Sequence, residues 1–302
     1  MTKLIYGGQA VPEGVMFQSK THMATAIRRT NGDIDYFDMP RPEKPFLNKL
    51  KKIPLVRGNV AILEASVYGM KHMDFAADRY DRDPREDYKI ADEKSSQNTA
   101  KVVLSTVIIG ILTFFIGKFI LTLIPVFVAE VFSGVISGKF GQVALETLIK
   151  LIILLGYIYI LSLTPMVKRL FQYHGAEHKV INCFEQNRPL TVENVQSESR
   201  LHYRCGSSFI LFTVLVGFVL YMFVPVDPLY VRVINRILLI PVVLGLSFEV
   251  LQLTNRLREV PMFKFLGLPG LWLQYLTTKQ PHNDQVEVAI HSFNHLLGSE
   301  KK

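Results

Sequence analysis

Cysteine is scarce in this chain: Cys183 and Cys205 are the only two in 302 residues. Two cysteines cannot build the disulfide framework of a small secreted fold. A secretory leader is not expected either, because Met1-Thr2-Lys3-Leu4-Ile5-Tyr6-Gly7-Gly8 contains no apolar core. Residues 1–100 are therefore expected to stay in the cytoplasm. There is no internal repeat and no low-complexity tract, which excludes solenoids and arrays. Acidic residues are the minority, with 26 Asp and Glu against 34 Lys and Arg and a net charge of +8. Such an excess can serve nucleic-acid binding. Here 49% of the residues are apolar, and basic faces beside membrane spans account for the charge more simply. A nucleic-acid partner is not expected.

Four apolar runs are present: Val102 to Ile124, Val143 to Val167, Phe209 to Val224 and Val233 to Leu253. Each is near the length that crosses a bilayer core as a helix, about 20 residues. Lys118 lies inside the first run and is expected to snorkel or to face the bundle. The segments Lys168 to Arg204 and Arg256 to Lys302 each carry six basic residues, whereas the turn Pro225 to Tyr230 has none. The positive-inside tendency then places both chain ends and the middle loop in the cytoplasm. Arg232 and Arg236, beside the outer turn, run against it.

These patterns predict a polytopic α-helical membrane protein with about four transmembrane helices and an N-terminal cytoplasmic α+β region. Residues 1–100 form a β-rich region, an amphipathic helix and a charged linker. Residues 101–255 form the membrane region, with a cytoplasmic loop over 168–206. Residues 256–302 form an interfacial segment and a C-terminal helix. In the first part, Gly7 to Val11 and Gly14 to Phe17 read as strands broken by Pro12, and Asn31-Gly32 turns a hairpin between Met23–Arg29 and Ile34–Asp38. Lys44 to Lys52 reads as a solvated basic linker. From Leu55 to Ala77, Val56, Val60, Leu63, Val67, Met70, Met73 and Ala77 recur at helical spacing, with Glu64 and His72 as ordinary helix-face residues. Asp78 to Lys94 is a charged linker. Beyond the last run, Trp272 and Tyr275 read as interfacial anchors, and Gln285 to Leu297 as an amphipathic helix.

Chemistry concentrates in two clusters that flank the middle loop, Tyr173-His174-Gly175-Ala176-Glu177-His178 and His202-Tyr203-Arg204-Cys205-Gly206-Ser207-Ser208. In a helix, His174 and His178 share a face with Glu177 beside them. Two imidazoles so placed can bind one metal ion, and a neighbouring carboxylate can take a proton from a water that the metal acidifies. The order His-x-x-Glu-His is that of the inverzincins. In this reading His174 and His178 bind a divalent metal, zinc by its ligand preference, and His202 or Cys205 is a third ligand. Glu177 is the general base or itself a ligand, and Arg204 grips a phosphate or carboxylate of the substrate. A lipid-linked or peptide substrate suits a site at the cytoplasmic interface. Glu249, an ionisable residue near the end of the fourth run, is a further candidate. The competing reading is a non-enzymatic module. The same side chains then form a hydrogen-bonded junction, and the basic loops bind a larger membrane complex, such as the export or insertion machinery, or a second copy of the chain.

Six segments give the chain a likeness to a known family. They are Gly7 to Met16, Pro54 to Gly58, Tyr173 to Lys179, His202 to Phe209, Pro269 to Gln274 and Gln285 to Ala289. The chain resembles the DUF1385 family of bacterial membrane proteins over almost its whole length. Ser207-Ser208 stands where Thr-Ser is expected, a swap that keeps the hydroxyl. The resemblance implies a multi-pass protein of the bacterial cell membrane. It also implies a metal-dependent enzyme, although the family has no established function.

Overall fold

In the computed structural model, residues 6–41, 44–90, 117, 119–257 and 260–301 are described. The first of them form a four-stranded antiparallel meander: β1 (Gly7–Val11), β2 (Gly14–Gln18), β3 (His22–Arg28) and β4 (Ile34–Pro40), in the order β1-β2-β3-β4. Pro12 and Glu13 turn β1 into β2, where Pro12 need not donate to the ladder and Glu13 has φ 52°. In the β3–β4 turn Gly32 takes φ 91°, a conformation that glycine adopts without steric cost.

Period-two alternation gives the sheet two apolar faces. Val15, Phe17, Ala24 and Ala26 point one way, while Met16 and Ile27 point the other. The stretch read as a linker forms a short helix, α1 (Pro45–Leu50), with Pro45 in its first turn. The helix α2 (Val56–Arg79) covers the second face through Phe75 and Ala76. Its buried side is not the apolar stripe expected from the spacing. Leu63, Val67 and Met70 are exposed, whereas Glu64, Tyr68 and His72 are buried. Two glycines explain this. A Cβ on Gly58 would meet the Cβ of Phe248 at 2.5 Å, and one on Gly69 would meet Gln9 Oε1 at 2.4 Å. The helix presses its glycine side onto the fold, and polar groups on that side find partners. Glu64 pairs with Arg41 and Lys51, and His72 Nδ1 lies 2.7 Å from Thr25 Oγ1.

After a π-helical turn over Phe119–Leu123 come α3 (Ile124–Val131) and α4 (Lys139–Ser162). A break at Leu163 and Thr164 starts α5 (Pro165–Glu185), and a short α6 (Val192–Gln196) follows. The remaining helices are α7 (Gly206–Tyr221), α8 (Leu229–Leu238), α9 (Ile240–Leu257), α10 (Leu268–Thr277) and α11 (Asn283–Ser299). A 3₁₀ segment, Pro261–Gly267, precedes α10. Among the described residues α4 alone is long and apolar enough by itself to cross a membrane. The fourth apolar run is not one straight helix: α8 and α9 meet at 51° and pass the same test only as a pair. Pro241 sits in the first turn of α9, where its missing N–H is no loss but where α8 cannot continue through it. The helix of the third run, α7, has 16 residues. Most of the first run, residues 102–116, and Lys118 lie outside the described residues.

Arg232 and Arg236 are fully buried and face inward. Arg236 Nε donates to Glu146 Oε1 at 2.8 Å, and Arg232 Nη1 reaches Glu130 and Gln142 at 3.2 Å each. An inward, paired arginine need not sit in a loop, which answers their poor fit to the charge pattern. The main core joins segments that the sequence places in three different parts. Val15 and Phe17 of the sheet, Tyr173, Ala176 and Val180 of α5, and Val286, Ala289 and Phe293 of α11 pack together. Helix, sheet and helix pair thus form three layers, with α2 on one side and α5 with α11 on the other.

Candidate metal centre

The apolar residues of α5 seat it against the core and leave His174 and His178 on the side that faces the start of α7. Their ring centroids are 4.5 Å apart, as expected of residues one turn apart. His174 Nδ1 lies 2.9 Å from the carbonyl oxygen of Thr277, and His178 Nδ1 lies 2.6 Å from that of Arg200. A carbonyl only accepts, so each Nδ1 carries a proton and each Nε2 is turned toward the site. Backbone acceptors of this kind orient metal-binding imidazoles. Gly175 makes the His174 bond reachable. A Cβ there would stand 2.2 Å from the Lys279 carbonyl oxygen, so only glycine lets the chain after α10 cross α5 so closely.

Cys205 supplies the third donor. It caps the N-terminus of α7, where its Sγ accepts from the Ser207 amide at 3.4 Å. The Sγ lies 3.2 Å from His174 Nε2 and 3.0 Å from Ser207 Oγ. One donor atom each from His174, His178 and Cys205 fall within 4.8 Å of one another. Two imidazole nitrogens and a thiolate so grouped are a donor set that could hold one zinc ion. Burial pushes the Cys205 thiol up, but His174 and His178 outweigh it and hold the thiol well below its usual range. Burial opposes charge on His174, but the adjacent sulfur prevails and lifts the ring to about 9. Cys205 and His174 therefore share a proton as a thiolate–imidazolium pair, and a divalent cation can take that proton's place.

Glu177 stands one residue before His178 and is buried. Burial raises its carboxyl pKa, against the pull of His174 and His178. It packs on Gly8 of β1, where a Cβ would come within 2.8 Å of its carboxyl carbon. His174, Glu177, Gly206 and Ser207 open onto a cleft of about 330 Å3 shared with Gln9 and Met73.

Three other candidates fall outside the donor group, although the His202 ring centroid is 5.7 Å from that of His178. His202 is not in the donor group. Its backbone N–H and carbonyl are both bonded by Gln274, and its Nε2 is 3.9 Å from Glu185. Burial lowers the pKa of this ring. Arg204 does not face the cleft as a substrate grip, because Glu185 at the end of α5 pairs with it. Glu249 is remote as well. Arg57 Nε donates to it at 2.6 Å and the Leu55 amide at 3.3 Å, which fastens the start of α2 to α9. Gly8, Gly175, Gln274, Thr277 and Arg200 frame the centre and are not among the residues expected from the sequence. Of these, only the glycines carry a signal, as residues whose missing side chain invites a close approach.

The family profile described as "Protein of unknown function (DUF1385)" matches residues 53–299. The uncharacterised protein YqhQ of Bacillus subtilis (strain 168) is 61% identical over 292 residues, spanning 97% of this chain and 92% of that protein. No solved structure matches. The similarity runs through both flanks of the centre, and the chain belongs to the DUF1385 family.

Proposed function

We propose that this protein is a metal-dependent hydrolase of the bacterial cell membrane, with its centre on the cytoplasmic face. One observation carries the proposal: two oriented imidazoles and a helix-capping cysteine converge beside a buried carboxylate, and His174 and that carboxylate line a cleft. Nitrogen and thiolate donors in a set of three, with room for a further ligand, suit zinc. Zinc there would polarise the bond to be broken and acidify a water. His174, His178 and Cys205 would hold it, with the Thr277 and Arg200 carbonyls fixing the ring orientations. Glu177, with its raised pKa, accepts a proton from the attacking water and returns it to the leaving group. The membrane placement is supported by α4, of which only 22% of the most apolar stretch is buried. Trp272 and Tyr275, both exposed, suit the headgroup level.

The test is the metal content of detergent-purified, untagged protein, beside His174→Ala/His178→Ala and Cys205→Ser variants. Near-stoichiometric metal in the wild type, lost from both folded variants, is the expected result. Folded wild type that is metal-free and unchanged by added zinc would refute it. That outcome would favour a second reading, in which Cys205 is a nucleophile activated by His174 at 3.2 Å. Rapid alkylation of Cys205 at neutral pH, slowed in His174→Ala, would then support it.

A further inference from the structure

A second cleft abuts the candidate centre, with a volume of about 670 Å3. That is within the range of small-molecule sites, roughly 300–1,000 Å3. Gln9, Met73 and Gly206 line both clefts, so the two form one trough along α2. The ends of the trough differ in chemistry. His174 and Glu177 stand at one end. In the other cleft Ala61 and Ile62 of α2 and Phe248 and Leu251 of α9 give a mainly apolar lining, to which Gln18 and Arg41 add polar groups. Ala61 to Met73 spans about 18 Å of helix at about 1.5 Å per residue. That is the reach of a long-chain acyl group. The small residues Ala65, Ser66 and Gly69 keep the trough wide on the α2 side. Its lip is the misplaced apolar stripe, where Leu63 is 66% exposed and Met70 56% exposed.

We propose that this apolar cleft holds the hydrocarbon chain of an amphiphilic substrate, a long-chain acyl lipid drawn from the bilayer, with its polar end at the centre. The graded lining favours one orientation of such a molecule, since a chain at the polar end would cover the Glu177 carboxyl with hydrocarbon. The exposed stripe on α2 gives the chain an apolar path into the trough, which a water-soluble peptide would not need. The assignment of the polar end rests on the metal-hydrolase reading. Occupation of the apolar end does not.

The experiment uses the full chain in phospholipid vesicles containing a diazirine-bearing palmitic acid, with adducts mapped by mass spectrometry after irradiation. Metal content is measured on the same samples. Adducts are expected on Phe209, Phe248 or Leu251, and are expected to be lost in Ala65→Trp, which fills the cleft from an exposed helix position. Val131→Trp, at an exposed position of α3 that lines neither cleft, is the folding and partition control and should label as wild type. His174→Ala/His178→Ala should lose metal and keep the adducts. Metal-loaded wild type that labels no more than Ala65→Trp overturns the acyl site and leaves the metal centre standing. Labelled but metal-free wild type does the reverse. A photo-crosslinker placed at Ala65 that captures residues 102–116 of the chain itself also overturns it, because the trough would then be filled from within.

Discussion

His72 is a fully buried imidazole, bonded to Thr25 and packed edge-on to Phe37 with ring centroids 4.9 Å apart. Burial, helped by the charge of Lys71, lowers its pKa from 6.5 to about 4. The unfolded ring takes a proton below about 6.5, but the folded ring resists until about 4. The stability that depends on the neutral ring is therefore complete above the unfolded value and is lost as pH falls through this window. Wild-type protein should melt at a lower temperature near pH 5 than near pH 7.5, and His72→Gln should remove part of that difference. An unchanged pH dependence in His72→Gln would mean that another group controls it. Gly8 and Gly175 act at the same scale by what they lack. Each leaves space for an atom of the centre or its frame, the Glu177 carboxyl in one case and the Lys279 carbonyl in the other.

Between elements, α7 and α10 are locked by one side chain. Gln274 is fully buried, and it donates to the His202 carbonyl at 2.8 Å and to Ser208 Oγ at 2.9 Å. It also accepts from the His202 N–H at 2.8 Å. Ser208 in turn donates to the Gly270 carbonyl at 3.0 Å. This part of the second motif is a hydrogen-bonded junction, and Cys205 stands between its two anchor points. Gln274→Leu would strand buried backbone groups, each at a cost of about 1–3 kcal/mol. A lower melting temperature is expected, and with it a weaker hold on zinc, by about 10- to 100-fold as for other outer-shell losses. Chelator competition beside thermal melts checks both. A destabilised variant with undiminished zinc affinity would show that the junction does not set the position of Cys205.

At the scale of the whole molecule the two chain ends close one core. The Tyr6 hydroxyl donates to Glu300 at 3.0 Å, and Ser292 Oγ donates to the Val15 carbonyl at 2.8 Å. Phe293 stacks edge-on against Tyr6, Phe17 and Phe184. The N-terminal β region is consequently not a unit separate from the C-terminal helix. Truncation after His282 would uncover Val15, Phe17 and the apolar face of α5 formed by Tyr173, Ala176 and Val180. Hydrogen exchange should then show β2 and β3 losing protection while α4 and α7 keep theirs. Retained protection in the strands would mean that the sheet holds without α11.

The extents of the strands and of α2, the hairpin at Gly32, and the shared face of His174 and His178 were all legible in the sequence. They depend on local backbone geometry, a period of 2 or 3.6 residues and the φ that a turn demands. Partner choice was not legible. Cys205 rather than His202 completes the donor group because Gln274, some seventy residues on in sequence, holds the His202 backbone while the α7 N-terminus aims the thiol at His174. Arg204 and Glu249 are claimed by Glu185 and Arg57, each reached across the fold. The stripe on α2 faces outward because two glycines admit Phe248 and Gln9 on the other side. The sequence by itself determined the periodic elements and the pair of histidines one turn apart. The tertiary structure alone decided which third group meets that pair, since convergence depends on which distant backbones can approach.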